Sequence, residues 1–375
     1  MAGIYIHIPF CRQACHYCDF HFSTNLKTKD EMVQAIAAEL SHRKDYLKEP
    51  ASTVYFGGGT PSLLSPDQLH FLLDTVKEHF KLEQNVELTM EANPEDLTPS
   101  YSKELFNLGV NRLSLGIQTF HEEKLIWMNR AHNANQAREA FENARAAGFQ
   151  NISLDLIYAI PDHDEKAWEK DLRALTELNP EHISLYGLTI EEKTVFGKWE
   201  RESKLIQVPE DEAAAQYLFA IGFLNDKGYI QYEVSNFGRE GFHSRHNNAY
   251  WSGVPYLGVG PGAHSFDGAS RSFNIRNNPK YIQAIQQNES FSETETLSKI
   301  QLINEQILTQ LRTRNGLNLA KISETSGADF PEVHRALINE MSGLDLIELE
   351  DGFMRLRPKG FLVADEIALR LFFPE

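Results

Sequence analysis

No apolar run in this 375-residue chain approaches the roughly 20 consecutive residues that cross a bilayer, which excludes direct membrane insertion by a helical span. The opening MAGIYIHIPFCRQAC has neither the basic start nor the uninterrupted apolar stretch of a secretion signal, so the expected compartment is the cytoplasm. Basic residues are few. Lys and Arg number 36 against 53 Asp and Glu, and the net charge of −17 disfavours nucleic acid or anionic lipid as a partner. Internal repeats and low-complexity stretches are absent, and 42% hydrophobic with 24% charged residues is the balance of a folded chain, not a disordered one. Cysteine is scarcest of all. The three present, Cys11, Cys15 and Cys18, fall within eight residues; an odd, crowded number makes a poor disulfide framework and a good soft-metal site.

Over the first half, short β-branched runs alternate with longer helical patterns, which predicts parallel strands joined by crossover helices. Six strands are expected: Ile4 to Ile8, Thr53 to Phe56, Val86 to Met90, Arg112 to Gly116, Ile152 to Ile157 and His182 to Leu185. Thr28 with Glu31 and Ser65 with Gln68 have capping-box spacing, Pro66 and Pro99 sit at first helical positions, and Met32, Ile36 and Leu40 form one apolar stripe. Six units are fewer than the eight of a closed barrel, so an open, partial α/β barrel is expected, with its chemistry at the C-terminal strand ends. After about residue 200 the pattern changes: a helix over Glu210 to Asp226, strands around Tyr229 to Val234, and a Gly-rich segment at Gly258 to Gly262. From Ser298, the face Ile300, Ile303, Ile307 and Leu311 begins a helix, Gly327, helix, two-strand succession resembling a winged helix; Glu332 and Glu340 against Arg335 deny it a basic face. The expected division is 1–200 for the partial barrel, 201–295 for a linking α+β extension and 296–375 for a winged-helix-like domain.

Cys11-x3-Cys15-x2-Cys18 follows the first strand directly. Three thiolates can hold three irons of a 4Fe-4S cluster and leave the fourth open for chemistry. A zinc ion completed by His16 or a distant histidine is the alternative, although zinc motifs usually come as two separated ligand pairs. The further candidates lie near successive strand ends: Gly57-Gly58-Gly59-Thr60-Pro61 after the second strand, Glu91 in EANPE, Gln118 in SLGIQTF, Arg130 in MNRAH and Asp155 in SLDLIYAIP. Glycines admit backbone amides to a ligand, and a carboxylate such as Glu91 suits ribose hydroxyls.

CRQACHYC, with Tyr17 as the aromatic before the last cysteine, resembles the signature of the radical S-adenosylmethionine (SAM) enzymes. That resemblance implies that the amino and carboxylate groups of SAM chelate the open iron, and that reduction by a donor such as flavodoxin or ferredoxin cleaves SAM to methionine and a 5′-deoxyadenosyl radical. Within that superfamily the segments are similar to the oxygen-independent coproporphyrinogen III oxidase family over nearly the whole chain. The similarity implies SAM contacts at Tyr5, Tyr17, Gly59, Thr60, Glu91, Gln118, Arg130 and Asp155, and cluster ligands at Cys11, Cys15 and Cys18. DLIYAIPDHD departs from the relatives, with Ala159 and Asp162 where glycine is frequent.

Oxidase members carry a further cysteine two residues past the third, where Phe20 stands here, and an N-terminal extension that this sequence lacks ahead of its first strand. His246-Asn247-Asn248-Ala249-Tyr250-Trp251 matches instead the HNxxYW motif of the family's heme-chaperone branch. A neutral imidazole can ligate heme iron, and Tyr and Trp offer flat surface to a porphyrin, so His246 is the candidate axial ligand, with His264 and His243 as alternatives. The resemblance implies heme as cargo and an acceptor protein of unknown identity. Two other readings remain open: a catalytic radical SAM oxidoreductase acting on a porphyrinogen, and a zinc-stabilised regulator using the winged helix.

Overall fold

A computed structural model describes residues 2–374. Six strands, β1 (Ala2–Ile8), β2 (Ala51–Gly58), β3 (Leu82–Ala92), β4 (Arg112–Gln118), β5 (Ile152–Tyr158) and β6 (His182–Gly187), pair in chain order and all in parallel. Helices over Lys29–His42, Pro66–His79, Pro99–Asn107, Ala134–Ala147 and Glu165–Leu178 make the crossovers. Ser65 and Gln68 form the expected capping box, and Pro66 and Pro99 open their helices. The Thr28 and Glu31 pair does not form one. A 3-10 turn over Leu26–Thr28, capped by Asn25, leads straight into the first helix, so Thr28 never takes the extended backbone that a capping side chain needs.

Side chains alternate strictly along each strand. One set, including Ile4, Ile6, Val54, Phe56, Met90, Leu113, Leu115, Leu154, Leu156 and Ile183, is buried against the helices. The other set is polar and shares the opposite face. Register carries it from strand to strand: Tyr5, Tyr55, Thr89 and Arg112 in one row, Glu91, Ser114, Ser153 and His182 in the next, Gly116, Asp155 and Ser184 in a third. Parallel sheets covered on both faces usually read as unbroken apolar runs. Here a polar inner face marks the concave side as something other than packed core.

The later chain extends this sheet at both edges. β9 (Tyr256–Val259) pairs in parallel with β1 and is followed by antiparallel β10 (His264–Phe266), β11 (Ser270–Asn274) and β12 (Ser292–Thr296). At the other edge β6 pairs antiparallel with β8 (Asn236–Gly238), and β8 with β7 (Ile230–Gln231). The result is an open sheet of 12 strands ending at β12 and β7. The strand signal around Tyr229 to Val234 shrinks to two paired residues, because Tyr229 and Tyr232 turn inward and Tyr232 N–H bonds back to Asn236.

The C-terminal region has its own core around Ile303, Ile307, Leu311, Leu317 and Met341, with Ile300 only half-buried. Its helices Lys299–Leu311, Leu319–Ser326 and Arg335–Gly343 precede a hairpin of β14 (Ile347–Glu350) and β15 (Phe353–Leu356). A two-residue strand between the first two helices, β13 (Leu317–Asn318), completes a three-stranded antiparallel sheet beyond the expected pair. Among the described residues no helix is long and apolar enough to cross a membrane.

Candidate cluster and cofactor site

The chain enters the cysteine loop as it leaves β1 at the C-terminal mouth of the barrel. Residues between the cysteines tie the loop to its neighbours. Arg12 Nε donates to Asp96 after β3 at 3.0 Å, Gln13 Nε2 to Asn129 Oδ1 at 2.7 Å, and the His16 N–H to the Met128 carbonyl at 3.0 Å. The turn after β2 lies directly against this entry. A Cβ on Gly59 would stand 2.6 Å from the Phe10 carbonyl oxygen, and Gly58 has a φ of +110°, so the glycines here serve close backbone packing first. The Gly58 N–H is spent on Glu91 Oε2 at 3.1 Å.

The sulfurs have specific neighbours. Thr60 Oγ1 donates to Cys11 Sγ at 3.3 Å, while Arg130 Nη1 reaches Cys15 Sγ and the Tyr17 hydroxyl at 3.4 Å each. Arg130 Nη2 is fixed by the Gly116 carbonyl at 2.8 Å and Asn93 Oδ1 at 2.9 Å. Burial pushes the Cys11 thiol up to about 12 and the Cys18 thiol up to about 11, so these sulfurs ionise only against a cation. Three thiols on one loop can hold three irons of a polynuclear cluster and leave a fourth iron open. His16 Nδ1 pairs with the Trp127 carbonyl at 2.9 Å, and its ring packs edge-on against Phe196 and Trp199.

Behind the loop, Glu91 accepts from the Tyr55 hydroxyl at 2.8 Å, and burial with Asp155 nearby pushes its carboxyl up to about 7. Each of its oxygens keeps a second lone pair for a ligand hydroxyl. Tyr5 bonds His7 Nδ1 at 3.2 Å and stacks on Tyr55. Asp155 sits on the inner face with Ser114 and Ser153 donating at 3.3 Å, and burial raises its carboxyl. Gln118 ends β4 with a φ of +72° at a register shift. The structure thus gathers the cysteines, Tyr17, Gly59, Thr60, Glu91 and Arg130 at one mouth, with Tyr5 and Asp155 on the inner wall. Asn93 and His7 belong to the same assembly. Asn93 links Arg130 to Thr60, and His7 Nε2 bonds the His21 carbonyl at 2.9 Å. Sequence reading missed both, although the inner-face alternation of Tyr5 and His7 along β1 was a usable signal.

His246 lies elsewhere. It begins the helix Arg245–Trp251, which closes the N-terminal mouth. Its Nδ1 bonds Thr53 Oγ1 at 2.7 Å, its Nε2 the Tyr250 hydroxyl at 3.2 Å, and its ring stacks on Tyr55 at 4.8 Å. Glu87 accepts from the Arg245 and His246 N–H groups, a carboxylate placed where the helix dipole favours it. The ring is 2% exposed, and burial, reinforced by Arg112, lowers its pKa to about 3. His243 stacks on Tyr232 at 4.3 Å. His264 is exposed on β10 with its ring near Phe273, and Arg276, past the end of β11, donates to the Asp19 carbonyl just past the cysteine loop at 2.7 Å.

In comparison with known proteins, the sequence matches the radical SAM superfamily over residues 5–175 and the HemN C-terminal domain over residues 297–363. The heme chaperone HemW of Bacillus subtilis is 33% identical over 371 residues, 98% of each chain. The heme chaperone HemW of Escherichia coli is 40% identical over 268 residues, 70% of this chain and 69% of that one. Among solved structures, coproporphyrinogen III oxidase (HemN) from Escherichia coli matches 99% of this chain and 90% of its own with a TM-score of 0.85; at 22% identity the likeness speaks for the fold.

Proposed function

The chain belongs to the family of the heme chaperone HemW within the radical SAM superfamily, and from that premise we propose that it binds a 4Fe-4S cluster, SAM and heme and hands heme to an acceptor protein. The observation that carries the cofactor half is the thiol trio at the polar mouth, with Cys11 hydrogen-bonded by Thr60 and Cys15 by Arg130. Cys11, Cys15 and Cys18 are the iron ligands, and the bound cluster supplies an open iron for SAM and one-electron chemistry from a donor such as flavodoxin or ferredoxin. Arg130 holds Cys15 and the Tyr17 hydroxyl in place. Glu91 offers its remaining lone pairs to the ribose, and Tyr5, Tyr17, Gly59, Thr60, Gln118 and Asp155 bound the space around SAM. The working compartment is the cytoplasm.

For heme, the environments of the three histidines differ. His246 becomes available to iron only when the helix Arg245–Trp251 leaves the barrel, since both ring nitrogens are engaged. His264 is exposed and needs no such movement, and Gly262, two residues before it, lies against Arg276 and His21, just past the cysteine loop. Phe20, 73% exposed where oxidase relatives place a cysteine, gives that region a flat apolar neighbour for a porphyrin. We therefore take His264 as the ligand of the closed form and His246 as a ligand reached by opening.

Anaerobic reconstitution followed by heme titration tests this. A Soret band that weakens in His264→Ala and persists in folded His246→Ala supports the closed form, and the reverse supports opening. A cluster with no heme band, together with decarboxylation of coproporphyrinogen III, would return the protein to catalysis.

A further inference from the structure

Outside the cysteine loop, a second set of metal-binding side chains converges behind β4 and β5. Among the described residues, His121, His163 and Asp171 are the one trio whose potential ligand atoms all fall within 4.8 Å of one another. Asp171 is fully buried, and His163 is 3% exposed with neither ring nitrogen hydrogen-bonded. A buried imidazole with two idle nitrogens is an unfilled partner requirement. His163 Nε2 faces Asp171 Oδ2 at 3.5 Å, and His121 Nε2 faces Asp171 Oδ1 at 3.8 Å. Ligands at ~2.0–2.1 Å from a tetrahedral ion stand roughly 3.3 Å apart, so a small shift of side chains closes the set.

We propose that His121, His163 and Asp171 bind one divalent transition-metal ion of the zinc class, leaving a fourth position to water. The surroundings are built as such sites are. Thr119 Oγ1 donates to Asp171 Oδ2 at 2.6 Å and the Phe120 N–H to Oδ1 at 2.8 Å, which orients the carboxylate and leaves each oxygen one free lone pair. His121 Nε2 now contacts the Ala167 carbonyl at 3.2 Å; ligation takes the Nδ1–H tautomer and turns the Nε2 lone pair to the ion. Its side chain is 32% exposed, which provides the entry path and the water. Lys124, the nearby cation, is turned onto the Pro161 carbonyl.

The ion staples three elements that flank the cofactor mouth: the loop after β4, the loop after β5 and the helix Glu165–Leu178. The β5 loop holds Ala159 and Asp162 at φ of +57° and +55°, conformations that side chains disfavour. A metal on His163 keeps that loop in place beside Gln118 and Asp155.

The test uses the cluster-reconstituted chain, loaded with zinc and desalted, with iron and zinc measured together. Wild type is expected to keep about one zinc per chain at full iron content. His163→Ala and the half-exposed His121→Ala are expected to drop zinc to background while iron is unchanged. Failure of wild type to hold zinc would overturn the proposal. So would equal zinc in wild type and His121→Ala, which places the ion elsewhere, or zinc that rises only as iron falls, which sends it to the cysteines.

Discussion

At the C-terminal mouth of the barrel, backbone is held in left-handed conformations at Gln118, Asn129 and Ala159, around three half-buried thiols. At the N-terminal mouth, a regular helix capped by Ser244 seals the interior, and each nitrogen of its buried histidine has a partner. Both ends draw on the same inward rows of Tyr, His, Glu and Ser side chains. The difference lies in what later chain does to them: one mouth is framed by loops with left-handed residues, the other is covered by a helix. Chemistry-bearing residue types therefore do not fix a role by themselves. His246 and Tyr250 look like a ligand set in sequence and behave as a hydrogen-bonded plug in the closed fold.

The sharpest way to break this contrast is to remove a group from each end. Cys15→Ala is expected to abolish iron binding and the cluster absorbance while changing the unfolding free energy of the metal-free chain by only about 1 kcal/mol. His246→Ala should do the opposite. Iron content stays at the wild-type level, and stability measured by urea unfolding falls by about 3–4 kcal/mol, for a lost buried ring and the idle polar atoms of Thr53 and Tyr250. An unchanged unfolding midpoint in that variant would show that the plug carries no load.

Acid separates the two ends with opposite signs. The folded chain keeps His246 neutral down to about 3, while the unfolded chain protonates it near 6.5, so its contribution is intact above 6.5 and fades as pH falls. Between there and about pH 4.5 the loss is about 2–3 kcal/mol, and His246→Gln should flatten that part of the curve. Glu91 runs the other way: raised to about 7, it favours the fold when protonated, and that contribution disappears as pH rises through 7. Glu91→Gln should accordingly stabilise the metal-free protein more at pH 8 than at pH 5, in paired denaturant titrations. The smallest effect sharpens the strain argument. Ala159→Gly relieves a left-handed backbone and is expected to add about 1 kcal/mol, read as a higher thermal midpoint; a drop would mean the Ala159 side chain packs better than its backbone suffers.

The six parallel strands were legible because short β-branched runs alternate with longer helical patterns, and the cysteine loop because its spacing is compact. Contacts across long stretches of sequence were not. Glu87 and Thr53 meet Arg245 and His246 across the barrel, and nothing local to either segment signals the meeting. The edge strands β7 to β12 are two to five residues long, too short for a period to show. The pairing of His121 with His163 and Asp171 was equally hidden, since it depends on two strand ends being neighbours.

The plug also imposes a timetable on synthesis. Thr53 and His246 are 193 residues apart, so a ribosome adding about 5–20 residues per second makes β2 wait roughly 10–40 s for its stopper. During that interval the edge of β1 that will receive β9 is bare, and the interior can be reached from below as well as above. A nascent barrel is a tube with two doors, and the finished protein keeps one.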